Sequence, residues 1–475
     1  MHPRLRGRRT PLPVGRAAGV LTGGRVGGVA GTDGRGGEPR PRVLLLAEAA
    51  NPEWVSVPLV GWSHARALAD CADVHLVTQI RNRAALLRAG LREGEDFTAL
   101  DTERIAAPVW RLATRLRGGA GTGWTTTTAL ASLIYPFFER EVWRRFGSRL
   151  EAGAFDVVHR LTPLTPTAPS PLARRCHRIG VPFVLGPLNG GVPWPPGFED
   201  VRRAERERLA RVRGLYRLLP GAAATRRYAR AILVGSRDTW RQLPAHCHDR
   251  CVYIPENGID PARFSAVRTR RAERPLRVVF VGRLVPYKGA DMLLEAARDL
   301  VRAGDVRVTL VGDGPQRGAL EAQVARDGLA SGVTFTGWLE HPRVQEQLVE
   351  ADLLGFPSIR EFGGGVVLEA MAVGLVPLVV RYAGPAELVT ETTGFAVPLG
   401  SRAEIVSGVR GALERLVAEP GEIERRGEAA RRRVQALFTW PAKAGQVSEV
   451  YRWVLGRRPD RPDFGMPFPD VPPTT

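Results

Sequence analysis

Twice along this chain, short apolar runs alternate with amphipathic stretches, and a polar, arginine-rich break separates the two series. The first series begins with "RVLLLAE" (42–48), "GWSHARALAD" (61–70) and "VHLVTQ" (74–79), which read as strand, helix and strand. "FDVVHRL" (155–161), "PSPLARRCHRIG" (169–180), "VPFVLG" (181–186), "ARAILVGS" (229–236) and "RCVYIPENGID" (250–260) continue it. Strands without polar alternation must be covered on both faces, which a parallel sheet between helix layers provides. After "FSAVRTRRAERP" (264–275), where the joint is expected, the alternation restarts with "LRVVFVG" (276–282) and runs to "VPLVV" (376–380). The fold class is therefore α/β, with two doubly wound, Rossmann-like domains in tandem facing a central cleft. In such sheets ligands bind beyond the carboxyl ends of the strands.

The chain divides into a basic, Gly-rich segment 1–41 expected to be disordered, a domain over 42–265 and a second over 266–440. "TWPAKAGQVSEVYRWVLGR" (439–457) reads as a helix after a Pro break, and the Pro-rich segment 459–475 as extended or disordered. A formal charge of +19 raises nucleic acid as a partner, but residues 1–42 alone carry nine Arg against Asp33 and Glu38. No recognition module accompanies the charge, so no nucleic acid is expected, and phosphorylated substrates or an anionic membrane surface suit the remainder. The segment "ALASLIYPFF" (129–138) is far short of the roughly 20 residues that span a bilayer. Four cysteines give no disulfide framework, and a cytoplasmic chain is expected, with peripheral contact at the inner face of a membrane open. The aromatic residues Trp110, Trp124, Tyr135, Phe137, Phe138, Trp143 and Phe146, with the basic run 202–217, are equally open as an acceptor or membrane surface and as ordinary helical packing. "HCHDRC" (246–251) has an unusual spacing for zinc and reads as a polar loop, and no metal is expected.

Of 68 basic side chains only Lys288 and Lys443 are lysines. Lys288 lies in "GRLVPYKG" (282–289), between a strand ended by Gly282 and a helix opened by Gly289. Such a junction aims N–H groups and a positive helix end at a ligand, which favours phosphate. Arg283 offers a fork for two oxygens and Lys288 a compact charge. On the turn alone, a phosphate grip and a pair of solvated loop charges are equally open. "EFGGGVVLEAMAVG" (361–374) then places Glu361 beside Gly363, Gly364 and Gly365, with Glu369 eight positions on. Carboxylates beside a phosphate site would repel it, so they are expected to address sugar hydroxyls. Cations for a diphosphate and carboxylates for hydroxyls describe a nucleotide sugar.

The segments "VGRLVPYKG", "VTLVGDGP", "VTFTGWL", "PSIREFGGGVVLEAMAVGLVPLVV", "VYIPENGID" and "DVVHRLTP" resemble glycosyltransferase family 4, the large retaining family (glycosyl transferases group 1) with the GT-B fold. The resemblance covers roughly residues 42–458. It implies that Arg283 and Lys288 hold the donor diphosphate, that Glu361 with Gly364 faces the transferred sugar, and that Glu369 holds the ribose. It also implies that the helix at 441–458 crosses back onto the first domain and that anomeric configuration is retained. No Asp-x-Asp occurs in the chain, so Arg283, Lys288 and the helix dipole are expected to stabilise the leaving group without a metal or other cofactor.

Two departures from the family pattern lie in the first domain. The family's His after "VPFVLG" is replaced by "GPLNGG" (186–191), which leaves Asn189, Gly190 and Gly191 as acceptor-side candidates. His159 becomes the nearest catalytic candidate, against a strand histidine satisfied by backbone. The family's Gly-Gly loop reads "NPEWVSVPLVGW" (51–62), and His64 just after it is expected to pack. The expected activity is hexosyl transfer from a nucleotide-diphosphate sugar to a carbohydrate, lipid-linked or small-molecule acceptor, in polysaccharide, glycolipid or cell-envelope glycan synthesis. The alternatives are a nucleotide-sugar 2-epimerase of the same fold and a non-catalytic protein that binds nucleotide sugars or membranes. "GDGP" is not G-x-G-x-x-G, which disfavours a nicotinamide oxidoreductase.

Overall fold

Seven strands form the first sheet: β1 (Arg42–Ala47), β2 (Asp73–Gln79), β3 (Phe97–Leu100), β4 (Val157–Thr162), β5 (Phe183–Leu188), β6 (Ala231–Val234) and β7 (Cys251–Tyr253). The computed structural model describes residues 38–103, 124–204 and 221–466. All pairings in this sheet are parallel, in the order β3-β2-β1-β4-β5-β6-β7. The second sheet holds β8 (Leu276–Val281), β9 (Val306–Val311), β10 (Val333–Gly337), β11 (Leu353–Phe356), β12 (Val376–Val380) and β13 (Phe395–Val397), again parallel, in the order β10-β9-β8-β11-β12-β13. The order reverses at β1/β4 in the first sheet and at β8/β11 in the second. The loops leaving those strands spread apart there and open a crevice.

The helices that frame the crevices are α1 (Val57–Leu68), α2 (Arg237–Gln242), α3 (Ala290–Arg302), α4 (Gly365–Ala372), α5 (Ala383–Leu388) and α6 (Trp440–Val454). The first sheet is buried on both faces, as its unbroken apolar strands require. Val43, Leu45, Val157, Val184 and Leu233 pack with Ala444, Val447, Val450 and Tyr451 of α6. Helix α6 thus returns to the first domain, held by apolar side chains worth roughly 1.5–3 kcal/mol each in gross burial. The opposite face, with Leu44, Leu46, Val158 and Phe183, packs with Tyr135, Phe138 and Phe146. These three aromatics are core residues, which removes them from any acceptor or membrane surface; Phe137 is exposed. Trp110, the side chain of Trp124 and most of the basic run 202–217 lie outside the described residues, as do residues 1–37 and 467–475 of the two expected tails.

The joint does not lie at 264–275. That segment is fixed to the second domain because the buried carboxylate of Asp352 pairs with Arg268 and Arg270, each at 2.6 Å, and also accepts the Arg277 N–H. The chain instead crosses between domains at Ile259 and returns at Thr439, and the two crossings run side by side. Ile259 N donates to Phe438 O at 2.8 Å and Trp440 N to Ile259 O at 3.0 Å. The segment 459–466 also departs from expectation: Met466 is buried and Arg461 donates to the His248 carbonyl, so this part packs back onto the protein. The edge strands β3 and β13, too short to stand out in the sequence, complete the two sheets. "HCHDRC" is a packed turn in which His248 stacks on Trp240 and Cys251 Sγ meets the Cys247 carbonyl. Among the described residues no three His, Cys, Asp or Glu converge as metal ligands, and no helix is long and apolar enough to cross a membrane.

Candidate active site

Lys288 lies in the loop between β8 and α3, and Glu361 in the loop between β11 and α4. Because β8 and β11 are neighbours at the reversal of strand order, the two loops emerge side by side, and Lys288 Nζ forms an ion pair with Glu361 Oε2. The ammonium also stands 5.0 Å from the centre of the Phe356 ring, a cation–π contact from below. The pair corrects the expected separation of cations for phosphate from carboxylates for hydroxyls. One pocket holds both signs, and the Lys288 charge is shared between Glu361 and whatever lies above.

Both helices begin at glycines in the left-handed region, where L side chains are strained: Gly289 at φ 76° and Gly364 at φ 56°. A Cβ on Gly289 would also stand 2.4 Å from the Pro357 carbonyl oxygen, so loop and strand end pass in backbone contact. The N-termini of α3 and α4 thereby converge on the β8/β11 crevice. Gly282 closes β8 with its N–H on the Val311 carbonyl. Arg283 is exposed beside it and makes no ion pair among the described residues. Gly363 and Gly365 flank Gly364 with no side chain to fill the approach. Glu369, in the second turn of α4, is partly buried, and burial raises its carboxyl to about 7, with Arg263 as the opposing charge.

His159 does not reach this crevice. It sits in mid-strand on β4, paired with Leu45 and Val184, with no accessible surface. Its Nε2 donates to the Gly186 carbonyl at 2.7 Å and its Nδ1 accepts the Tyr451 hydroxyl at 2.7 Å. Burial lowers its pKa to about 4. With both ring nitrogens engaged, His159 is a neutral core residue joining β4, β5 and α6, and it is removed from the catalytic set. Its neighbour Arg160 is equally buried and donates to Ala168 O (2.6 Å), Thr165 O (2.8 Å), Ser170 Oγ (3.0 Å) and Pro163 O (3.3 Å), which holds the loop after β4. His64 on α1 is buried against Trp440, in keeping with a packing role.

Asn189, Gly190 and Gly191 follow β5 at the domain boundary. Their main-chain groups are already paired: Asn189 N donates to Leu164 O, Gly190 N to Thr239 Oγ1 and Gly191 N to Asn189 Oδ1. The Asn189 side chain turns to Glu256, donating to Oε1 at 3.1 Å and Oε2 at 3.0 Å. Beyond it, residues 192–194 lie along the second domain. Tyr382 donates to Pro193 O at 2.9 Å, and Arg360 stacks on Trp194 at 4.6 Å.

Glu256 and Glu387 are the charged residues that sequence reasoning missed. Glu387 on α5 accepts the Arg237 N–H at the start of α2 and the Tyr253 hydroxyl, which ties the second domain to the first. Burial is the main cause that raises its carboxyl to about 7, with Asp238 adding to it and Tyr253 and Arg237 opposing. A raised pKa means the unfolded chain releases its proton first as pH climbs. Thermal unfolding of wild type and Glu387→Gln is therefore expected to show wild type losing stability relative to the variant between pH 4.5 and about 7. A difference that stays flat across that window contradicts it.

The two facing Rossmann-like domains, the crevice at a strand-order reversal and the returning C-terminal helix define the GT-B class of glycosyltransferase folds. Residues 275–415 match the family model described as Glycosyl transferases group 1. The alpha-D-kanosaminyltransferase of Streptomyces kanamyceticus is 33% identical over 229 residues, which are 46% of this chain and 58% of that protein. The glycogen synthase of Mycobacterium tuberculosis is 30% identical over 202 residues, 42% of this chain and 48% of that one. The chain spans about half the length of the curated relatives it matches. In fold it is similar to the sucrose-phosphate synthase from Thermosynechococcus elongatus, with TM-score 0.53, 18% identity, and 88% and 100% of the two chains covered. It is also similar to Anabaena HepE in complex with UDP, with TM-score 0.52, 16% identity, and 86% and 99% covered.

Proposed function

We propose that this protein transfers a hexose from a nucleotide-diphosphate sugar to an acceptor hydroxyl, with retention and without a metal. The observation that carries the reading is the meeting of Lys288, Glu361 and the glycine-capped starts of α3 and α4 at the β8/β11 crevice. In the transfer, the bond from the anomeric carbon to the diphosphate oxygen breaks, and the acceptor oxygen bonds to that carbon. The acceptor proton leaves with the diphosphate. Negative charge grows on the departing phosphates, and fixed donors aimed at growing charge supply the largest part of most rate enhancements. Lys288, Arg283 and the two helix starts are such donors. Glu361 addresses the sugar hydroxyls while holding the Lys288 ammonium in place, and Glu369 addresses the ribose.

The cleft between the domains receives a carbohydrate, lipid-linked or small-molecule acceptor from the side of the first domain, in glycan or glycolipid synthesis. None of the four cysteines takes part in a disulfide, which suits a reducing cytoplasm. A thermal-shift series with UDP, GDP, ADP and dTDP tests the donor site. One of them is expected to raise the melting temperature in a concentration-dependent way, with about 2.7 kcal/mol of stabilisation at a hundredfold excess over its dissociation constant. If none does, and Lys288→Ala responds no differently from wild type, the reading fails.

A further inference from the structure

The chain's second lysine leads to a carboxylate that the proposed chemistry leaves without a role. Lys443, on α6, is entirely buried, and its ammonium donates to the Pro255 carbonyl. The next residue, Glu256, lies in the crossing between the domains and is only 8% exposed. Its main chain is held by Lys443 at the neighbouring Pro255 carbonyl. Each carboxylate oxygen accepts from Asn189 Nδ2, in the loop that ends β5.

On its other side stands the glycine loop before α4. A Cβ on Gly363 would lie 3.1 Å from Glu256 Oε1 and 2.1 Å from Asn257 Nδ2. Only a hydrogen fits between the loop and the crossing. Burial is the main cause that raises the Glu256 carboxyl to about 7; the charge of Glu361 from the glycine loop adds to it, and the Asn189 hydrogen bond and the Lys443 charge from α6 oppose it. A neutral amide would make a similar bond to Asn189 at lower desolvation cost. What the carboxylate adds is two charge-assisted acceptors on one rigid mount.

We propose that Glu256 is a positioning residue for sugar transfer: it fixes the Asn189–Gly191 loop of the first domain against the Gly363–Gly365 loop of the second, and so sets the gap between the acceptor side and the donor side of the cleft. This rests on the glycosyltransferase reading above. The two loops belong to different domains, and Glu256 touches both from the segment that joins them. Its reach is short and both of its neighbours are backbone-anchored, so a shift at one loop is passed to the other.

The test uses the full chain as wild type, Glu256→Gln and Glu256→Ala. Hydrogen exchange is followed in peptides covering 186–192 and 361–367, and the release of UDP from UDP-glucose and of GDP from GDP-mannose is measured in parallel. In Glu256→Ala, exchange is expected to rise about tenfold in both loops together. The kcat for donor cleavage is expected to fall at least about tenfold, while KM and UDP or GDP affinity change less than about threefold. Glu256→Gln, which keeps one carbonyl acceptor for Asn189, restores most of the loop protection. Exchange rising in one loop alone overturns the proposal, as does diphosphate affinity that falls in step with kcat. If wild type binds neither diphosphate, it is the glycosyltransferase reading that fails, and the exchange experiment still decides whether Glu256 couples the loops.

Discussion

Lys288→Ala is expected to lower donor turnover by about two orders of magnitude or more, equivalent to roughly 2.7 kcal/mol of transition-state stabilisation, with the fold intact. The side chain is on a loop rather than in the core, so its loss opens no cavity. What it removes is the ammonium above Phe356 and the partner of Glu361. The Glu361 carboxylate, with Glu256 close behind it, then faces the donor phosphates without a counterion and repels them. Removing Glu361 as well distinguishes the two losses. If the double variant Lys288→Ala/Glu361→Ala recovers diphosphate binding but not turnover, the repulsion and the missing counterion are separate effects. Lys288→Arg keeps the charge but brings a planar fork into a space that holds a compact group, and it is expected to recover little. Wild-type donor cleavage by a folded Lys288→Ala protein refutes the counterion role.

Gly384→Ala is expected to cost about as much activity while leaving every charged group in place. Gly384, in α5, donates its N–H to the Glu361 carbonyl. A methyl there would stand 1.7 Å from the Phe362 carbonyl oxygen and 2.6 Å from its carbon. Backbone cannot yield as a flexible side chain would, so the loop 361–363 must move away by roughly an ångström, and a displacement of that size at a reacting centre costs about a hundredfold in rate. Overpacking itself costs about 1–3 kcal/mol of stability. Gly411→Ala is the control: that position lies on an outer helix and has nothing within 4 Å of the new methyl. It is expected to leave turnover unchanged. Equal kinetics for the two variants would show that the glycine loop has slack the structure does not reveal.

Why some of this was legible in the sequence and some was not follows from the range of the forces involved. Unbroken apolar strands such as 42–47 and 376–380 announce a sheet buried on both faces, because that requirement acts residue by residue. The glycines at 289 and 364 announce helix starts with left-handed backbone, again a local demand. Lys288 and Glu361 are 73 positions apart, and only the neighbouring of β8 and β11 makes them partners. His159 shows the opposite limit. A histidine near a strand end invites a catalytic reading, but burial and two hydrogen bonds come from Gly186 and Tyr451, 27 and 292 residues away. The polar, arginine-rich run 264–275 has the composition of a linker, but the distant Asp352 neutralises it and fixes it to the second domain. Glu256 and Glu387 left one usable trace. Lys443, the other exception to an arginine-only habit, marks the place where the chain crosses between domains beside "PENG".

The scarcity of lysine has a practical side. Of the two side-chain amines, one has no accessible surface and the other stands at the β8/β11 crevice with 17% of its side chain exposed. Acylating agents and aldehydes that look for primary amines thus meet a single internal target. For a covalent ligand aimed at this protein, selectivity within the molecule is supplied by what the rest of the chain lacks.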